Sequence, residues 1–140
     1  MSQCFPPLAG PAAKIAKNQT VMVVADSCYS GTLTRAGNRG ISIEARTPSY
    51  ISKLVSLKSR TVLSSGGLEP VIDGGGSGHS VFAKSLLDVL RDNRTLMDGT
   101  QLFAKVRERV RLNANQTPQY QNIRIAGHEI GGDFLFVRKK

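Results

Sequence analysis

The chain has 140 residues, of which 40% are hydrophobic and 21% are charged, and its formal net charge is +9. This size predicts one domain with a single core, and a membrane span is excluded because no apolar run reaches the roughly 18 residues that it requires. The basic residues are scattered rather than gathered into a stripe with interleaved aromatic residues, so no nucleic-acid partner is expected.

The N-terminal part of the chain predicts a loose segment followed by a buried strand. Residues 1–13 contain two adjacent prolines and no basic segment before an apolar core, so no secretion signal is predicted. A short helix is expected over Pro11–Lys17. The apolar run at Thr20–Ala25 does not alternate, which is typical of a strand covered on both faces, so we expect it at the centre of a parallel sheet.

A polar, glycine-containing loop is predicted at residues 31–46, followed by a helix and a second strand. Thr47 offers a capping oxygen and Pro48 suits the first turn of a helix, which should therefore begin here and end near Ser59. The second predicted strand is Arg60–Ser64, which again ends in small polar residues.

The second half of the chain predicts two amphipathic helices and a final strand. After a flexible connection at 73–78, a helix is expected over Ser80–Arg91. A basic amphipathic helix should then follow Asp98-Gly99 and run to about Leu112, with the KVRERVR segment on its solvated side. A polar loop leads to the last strand, Asp133–Val137. Strands that alternate with helices in this way predict a layered α/β sandwich.

One of the two cysteines follows the first strand directly. Cys28 comes just after Thr20–Ala25, at the strand end where catalytic groups gather in open α/β sheets. A thiol is a useful nucleophile as the thiolate or beside a base. The neighbouring residues are small and leave an open approach: Ser27, Ser30 and Gly31. The alternative interpretation is a small buried hydrophobe at a strand end.

The cysteine content also bears on the compartment. Cys4 and Cys28 do not make a disulfide framework, and neither has metal-ligand companions at zinc spacing. A reducing, cytoplasmic environment is therefore expected.

The segment VVADSCYSGTL resembles the catalytic-cysteine motif of the caspase-like cysteine peptidases (peptidase family C14), particularly the bacterial metacaspase and orthocaspase branch. In that motif a strand ends in Asp-x-Cys-x-Ser-Gly. Further segments agree with the family pattern in the same order: RTVLSSGGLEPV, GHSVFAKSLLDVL and TPQYQNIRIAGHEIGGDFLFV. The resemblance covers roughly residues 14–138 and implies a three-layer α/β/α sandwich whose sheet is mostly parallel, with a final antiparallel edge strand.

Carried over by position, the resemblance implies roles for five residues and a peptide or protein substrate. Cys28 would be the nucleophile that forms a thioester acyl-enzyme, and its backbone N–H would contribute to the oxyanion hole. Asp26 matches an acid in the pocket that receives the substrate residue before the scissile bond, and a carboxylate there selects Arg or Lys. The alternative is that Asp26 is simply an acidic residue in the turn after the strand. Ser64, Ser65 and Gly66 match a loop whose backbone pairs with the substrate, the alternative being a simple polar strand end.

The family's general base is a histidine followed by glycine on the strand that precedes the cysteine strand, and no such pair occurs here. His79 and His128 both follow Cys28 and match structural positions, although a base role on another geometry stays open. We therefore interpret residues 14–140 as the C-terminal portion of a catalytic domain, with low activity expected in isolation. The strand Thr20–Ala25 would then have an open apolar edge, which we expect to pair with the missing N-terminal half or with a second copy of the chain.

Further expectations concern cofactors, processing and other functions. No cofactor is demanded; calcium enters only by analogy with some relatives, and no EF-hand-like loop is present. Arg35, Arg39 and Arg46 lie where family members are often cut into two subunits, so they are candidate self-processing sites unless the loop is simply solvated. Two other function classes stay open: a non-catalytic caspase-like fragment acting as a partner-binding or regulatory module, and a basic nucleic-acid binder.

Overall fold

A computed structural model of the chain describes residues 20–27, 47–66 and 78–139. Its elements, in chain order, are β1 (Val21–Ala25), α1 (Pro48–Ser56), β2 (Arg60–Ser64), α2 (Val81–Asp92), β3 (Met97–Asp98), α3 (Gly99–Asn113), β4 (Gln119–Asn122), a 3-10 turn (Arg124–Ala126) and β5 (Leu135–Phe136). The fold is therefore a mixed α/β fold, as the alternating pattern predicts. The helix expected at Pro11–Lys17 and the loop at residues 31–46 lie outside the described residues.

Within the described segments, β2 and not β1 is the central strand of a three-stranded sheet. The order is β1-β2-β4, with β1 parallel and β4 antiparallel to β2. All five residues of β2 are buried, whereas β1 is only partly buried and Val24 is 46% exposed. The prediction that the Thr20–Ala25 run is covered on both faces is wrong for this part of the chain. An apolar run shows that a strand tolerates burial, but its neighbours in the sheet decide whether burial occurs.

The antiparallel strand beside β2 comes from a segment that was expected to be a loop. Gln119–Asn122 is polar, and Tyr120 is its one buried residue, at 4% exposure. The last strand was expected to extend over Asp133–Val137, but it is limited to Leu135–Phe136 and pairs with Met97–Asp98 in a separate two-stranded sheet. The prediction of the last strand as the antiparallel edge of the main sheet is therefore wrong, because β4 occupies that place.

Within the described residues, helices α1, α2 and α3 begin within one residue of the predicted starts, although α1 ends at Ser56 rather than near Ser59. Each start has a capping side chain: Thr47 accepts from the N–H of Tyr50, Ser80 from Ala83 and Asp98 from Gln101. These bonds satisfy backbone donors that the first turn of a helix leaves without an intrahelical partner. Among the described residues, no helix is both long and apolar enough to cross a bilayer.

The core lies between β2 and the helices α2 and α3. Its buried members are Leu63, Val81, Phe82, Val89, Met97, Leu102, Val106, Val110 and Tyr120. Successive residues of a strand point to opposite faces, so Leu63 faces this cluster and Val62 faces the other side of the sheet. Both side chains are at most 2% exposed, which shows that β2 is covered on both faces. The basic residues of α3 lie opposite its buried stripe of Leu102, Val106 and Val110, as expected of an amphipathic helix.

A polar cluster ties the start of α3 to β4 and to the segment before β5. The Asp133 carboxylate accepts hydrogen bonds from the Tyr120 hydroxyl and from the Thr100 backbone N–H, the latter at 3.0 Å. The Gly99 N–H donates to the Phe134 carbonyl at 2.8 Å. A Cβ atom at Gly99 would collide with the Tyr120 hydroxyl and the Asp133 carboxylate, so this position requires glycine. Burial raises the pKa of Tyr120 well above its ordinary value, and the nearby charge of Asp133 raises it further.

Candidate active site at the carboxyl edge of the sheet

The ends of the two parallel strands β1 and β2 meet at the same edge of the sheet. Ala25 and Ser64, the last residues of the two strands, lie opposite each other in the ladder. One residue further on, the Ser65 N–H donates to the Ala25 carbonyl at 3.0 Å, and the Ser65 hydroxyl donates to the Ser27 carbonyl at 3.4 Å. The two segments that the sequence singles out for chemistry are therefore neighbours in space.

Asp26 lies at this edge and contacts a third segment of the chain. Its side chain is exposed, and its Oδ2 accepts a hydrogen bond from the Ser80 hydroxyl at 2.6 Å. The Ser80 oxygen in turn accepts the backbone N–H of Ala83 at 2.9 Å, as the N-cap of α2. A helix that follows a strand in an α/β fold starts near the carboxyl end of that strand, which explains why its cap reaches Asp26.

Ser80 is the site residue that the sequence analysis did not identify. The sequence shows a helix start at this position, but the contact joins residues 54 positions apart. A signal was available, because a capping hydroxyl at the carboxyl edge of a parallel sheet lies close to groups that follow the strands.

The remaining residues assigned from the resemblance have different surroundings. Ser64, Ser65 and Gly66 are all buried, and Ser64 pairs with Ala25 on one side and Gln119 on the other. Their part in binding a substrate stays a prediction. Cys28 lies outside the described residues. Arg35, Arg39 and Arg46 lie outside them as well.

The two histidines lie in contrasting places. His128 is 8% exposed, and its Nδ1 accepts the backbone N–H of Arg60, the first residue of β2, at 3.0 Å. At about 3.3 Å per residue, roughly 13 Å of strand separates this point from Ser64 at the carboxyl edge. Burial lowers the pKa of His128, which favours the neutral imidazole. His79 is exposed and directly precedes Ser80, so it is the histidine nearer in sequence to the Asp26 contact.

Over the described ranges, no three His, Cys, Asp or Glu side chains come together in a group that could hold a metal ion. The described part of the edge presents the exposed Asp26 carboxylate beside the Ser80 hydroxyl at the start of α2.

The family model of the caspase domain, Peptidase_C14, matches residues 1–126 of the chain. The chain belongs to the caspase domain family. This is a family of cysteine peptidases, so the resemblance carried by the ADSCYSG segment is confirmed at the level of the family. No curated protein and no solved structure matches the chain significantly.

The matched family segment includes the residues at the carboxyl edge of the sheet. Strand β1 lies within the matched residues and places Asp26 and Ser27 at the carboxyl edge, directly before Cys28 in the sequence. The described residues thus supply an exposed acid, held by a hydrogen bond, immediately before the cysteine segment. An exposed carboxylate can form charge-assisted hydrogen bonds with a positively charged group.

Proposed function

We propose that this caspase domain is a cysteine endopeptidase of the metacaspase type that cuts after Arg or Lys. Cys28 is the nucleophile: its sulfur forms a bond to the scissile carbonyl carbon, and the amine leaves with a proton. Water then hydrolyses the thioester and releases the acid. The observation that supports this proposal is the exposed Asp26 carboxylate at the carboxyl edge of β1, two residues before Cys28.

The preference for basic residues follows from the charge of Asp26. A carboxylate pairs with a guanidinium or ammonium group through charge-assisted hydrogen bonds, which are stronger than neutral ones. A neutral residue at the same position of the substrate would leave this acid without its partner. Ser64, Ser65 and Gly66 are proposed to line the path of the substrate backbone, because they lie at the end of β2, beside the segment that carries Asp26 and Ser27.

We assign the general base to a histidine supplied by a preceding segment or by a second polypeptide, in the family's His-Gly pattern. His128 lies by the first residue of β2, at the end away from Asp26, which argues against its acting as the base. His79 is the alternative within the chain, because it adjoins Ser80 and is exposed. Calcium is proposed only as a regulator by analogy with relatives, and no step depends on it.

The test is hydrolysis of a fluorogenic peptide with Arg before the scissile bond, compared with the same peptide carrying Ala. It is run on the 140-residue chain alone and together with any upstream polypeptide encoded next to it. Cleavage should favour the Arg peptide by at least about tenfold. Cys28→Ala should remove about 10³-fold or more of the activity. Asp26→Asn should reduce the Arg preference while leaving slow cleavage of the Ala peptide.

The second candidate is a non-catalytic caspase-domain fragment that binds a partner. The observation that favours it is the partial burial of β1, with Val24 46% exposed. Activity that survives Cys28→Ala would exclude the thioester mechanism. Absence of activity in every combination, together with stable association of a partner polypeptide, would favour the binding module.

A further inference from the structure

We propose that Ser80 is a positioning residue that holds the Asp26 carboxylate in place for a positively charged ligand group. This inference rests on the proposed function, in which Asp26 receives the basic side chain of the substrate. It adds a residue from another part of the chain, at the start of α2, to the specificity of that site.

The direction of the hydrogen bonds around Ser80 is fixed by the chemistry of the partners. The backbone N–H of Ala83 can only donate, so the Ser80 oxygen accepts it at 2.9 Å. The single hydroxyl proton of Ser80 is then available for Asp26, whose Oδ2 lies 2.6 Å away. A contact of this length is typical of a hydroxyl that donates to a charged carboxylate.

Ser80 is itself held firmly, which makes it suitable as a support. The next two residues, Val81 and Phe82, are buried at 7% and 0% exposure and belong to the core cluster. The backbone at Ser80 is therefore anchored by the packing of the two residues that follow it, and its side chain is held by the cap bond to Ala83. Asp26, by contrast, is exposed, so its carboxylate would otherwise sample several side-chain rotamers.

The consequence for a ligand is a pre-organised acceptor. A carboxylate has about four lone-pair positions on its two oxygens, and Ser80 occupies one of them on Oδ2. The remaining positions keep a fixed orientation toward a guanidinium, amidinium or ammonium group. Binding of a cation then costs less side-chain entropy than it would with an unrestrained aspartate. This gain in affinity applies to cations only.

The experiment is a titration of the full chain with benzamidine and with benzamide, followed by NMR chemical shifts. The two probes have nearly the same shape and differ in charge, and neither depends on Cys28 or on a catalytic base. The wild-type chain should bind benzamidine at least about tenfold more tightly than benzamide. Ser80→Ala should lower this preference about three- to tenfold, the usual effect of losing one hydrogen bond. Ser80→Thr, which keeps the hydroxyl and the cap, should keep the preference.

Control variants distinguish the positioning role of Ser80 from its effect on helix stability and from the role of Asp26 itself. Thr47→Ala removes the cap of α1, which is not bonded to Asp26, and should leave the preference unchanged. The inference is overturned if Asp26→Asn abolishes the preference and Ser80→Ala leaves it unchanged, or if Thr47→Ala has the same effect as Ser80→Ala. If the wild-type chain shows no preference, or Asp26→Asn does not change it, the proposed specificity of Asp26 fails and takes this inference with it.

Discussion

The backbone N–H of Arg60 donates a hydrogen bond to Nδ1 of the buried His128 at 3.0 Å. Because Nδ1 accepts this bond, the neutral imidazole carries its proton on Nε2. Protonation of His128 would place a second proton on Nδ1 and break the bond to Arg60. The native structure is therefore built around the neutral form of this histidine.

The first prediction concerns stability at mildly acidic pH. Burial holds the pKa of His128 in the folded chain below its ordinary value of 6.5. The unfolded chain therefore binds more protons as the pH falls below 6.5, and the free energy of unfolding decreases there. Urea unfolding at pH 7.5 and 5.5 should show a lower midpoint at pH 5.5.

Two substitutions test the origin of this pH dependence. His128→Asn supplies an amide oxygen that can accept from Arg60 and removes the titrating group, so it should flatten the dependence between these pH values. His79→Asn is the matched control, because it replaces an exposed histidine and should keep the decrease. An equal decrease in wild type and His128→Asn would show that His128 is not responsible.

The second prediction concerns the close approach at Gly99. Gly99→Ala should destabilise the chain by about 1–3 kcal/mol, because the new methyl group would overlap the Tyr120 hydroxyl and the Asp133 carboxylate. Tyr120→Phe removes one of these obstacles and also a hydrogen bond. The double variant should therefore be more stable than the sum of the single effects predicts, measured by urea unfolding. Simple additivity would mean that the two residues do not compete for the same space.

A third prediction follows from the raised pKa of Tyr120. Burial keeps this phenol protonated in the folded chain at pH values where exposed tyrosines ionise. A group with a raised pKa stabilises the fold until the pH passes its unfolded value of about 10, and the unfolding free energy then decreases as the pH rises further. The tyrosinate absorbance of the folded chain at alkaline pH should be lower than that of the unfolded chain, because Tyr120 stays protonated. Tyr120→Phe should remove that difference.

The fourth prediction compares a core and a surface side chain. Phe82 is 0% exposed at the centre of the core cluster, whereas Leu112 near the end of α3 is 79% exposed. Phe82→Ala should cost about 3–5 kcal/mol, because it removes a large buried group and leaves a cavity. Leu112→Ala should change stability by less than about 0.5 kcal/mol. Thermal unfolding of both variants provides the measurement.

The helix starts were predictable because their signals are local. Thr47, Ser80 and Asp98 each combine a capping side chain with an apolar pattern that follows within one turn. Strand β4 was not predictable, since Gln119–Asn122 is polar and buries one residue, Tyr120. Its position depends on pairing with β2, and no local pattern specifies that pairing.

The candidate site shows the same division between local and long-range information. Asp26 follows an apolar strand, so its place at the carboxyl edge could be derived from the sequence. Its partner Ser80 was not identified: the helix cap is a local signal, but the contact with Asp26 depends on how α2 returns across the sheet.

The parallel pairing of β1 with β2 has a consequence for any nick in the chain between them. The two strands align over five residue pairs, from Val21 with Arg60 to Ala25 with Ser64. A cut after Arg35, Arg39 or Arg46 would separate them covalently but would leave this ladder intact. The products should therefore run as two bands on a denaturing gel and migrate as a single species under native conditions.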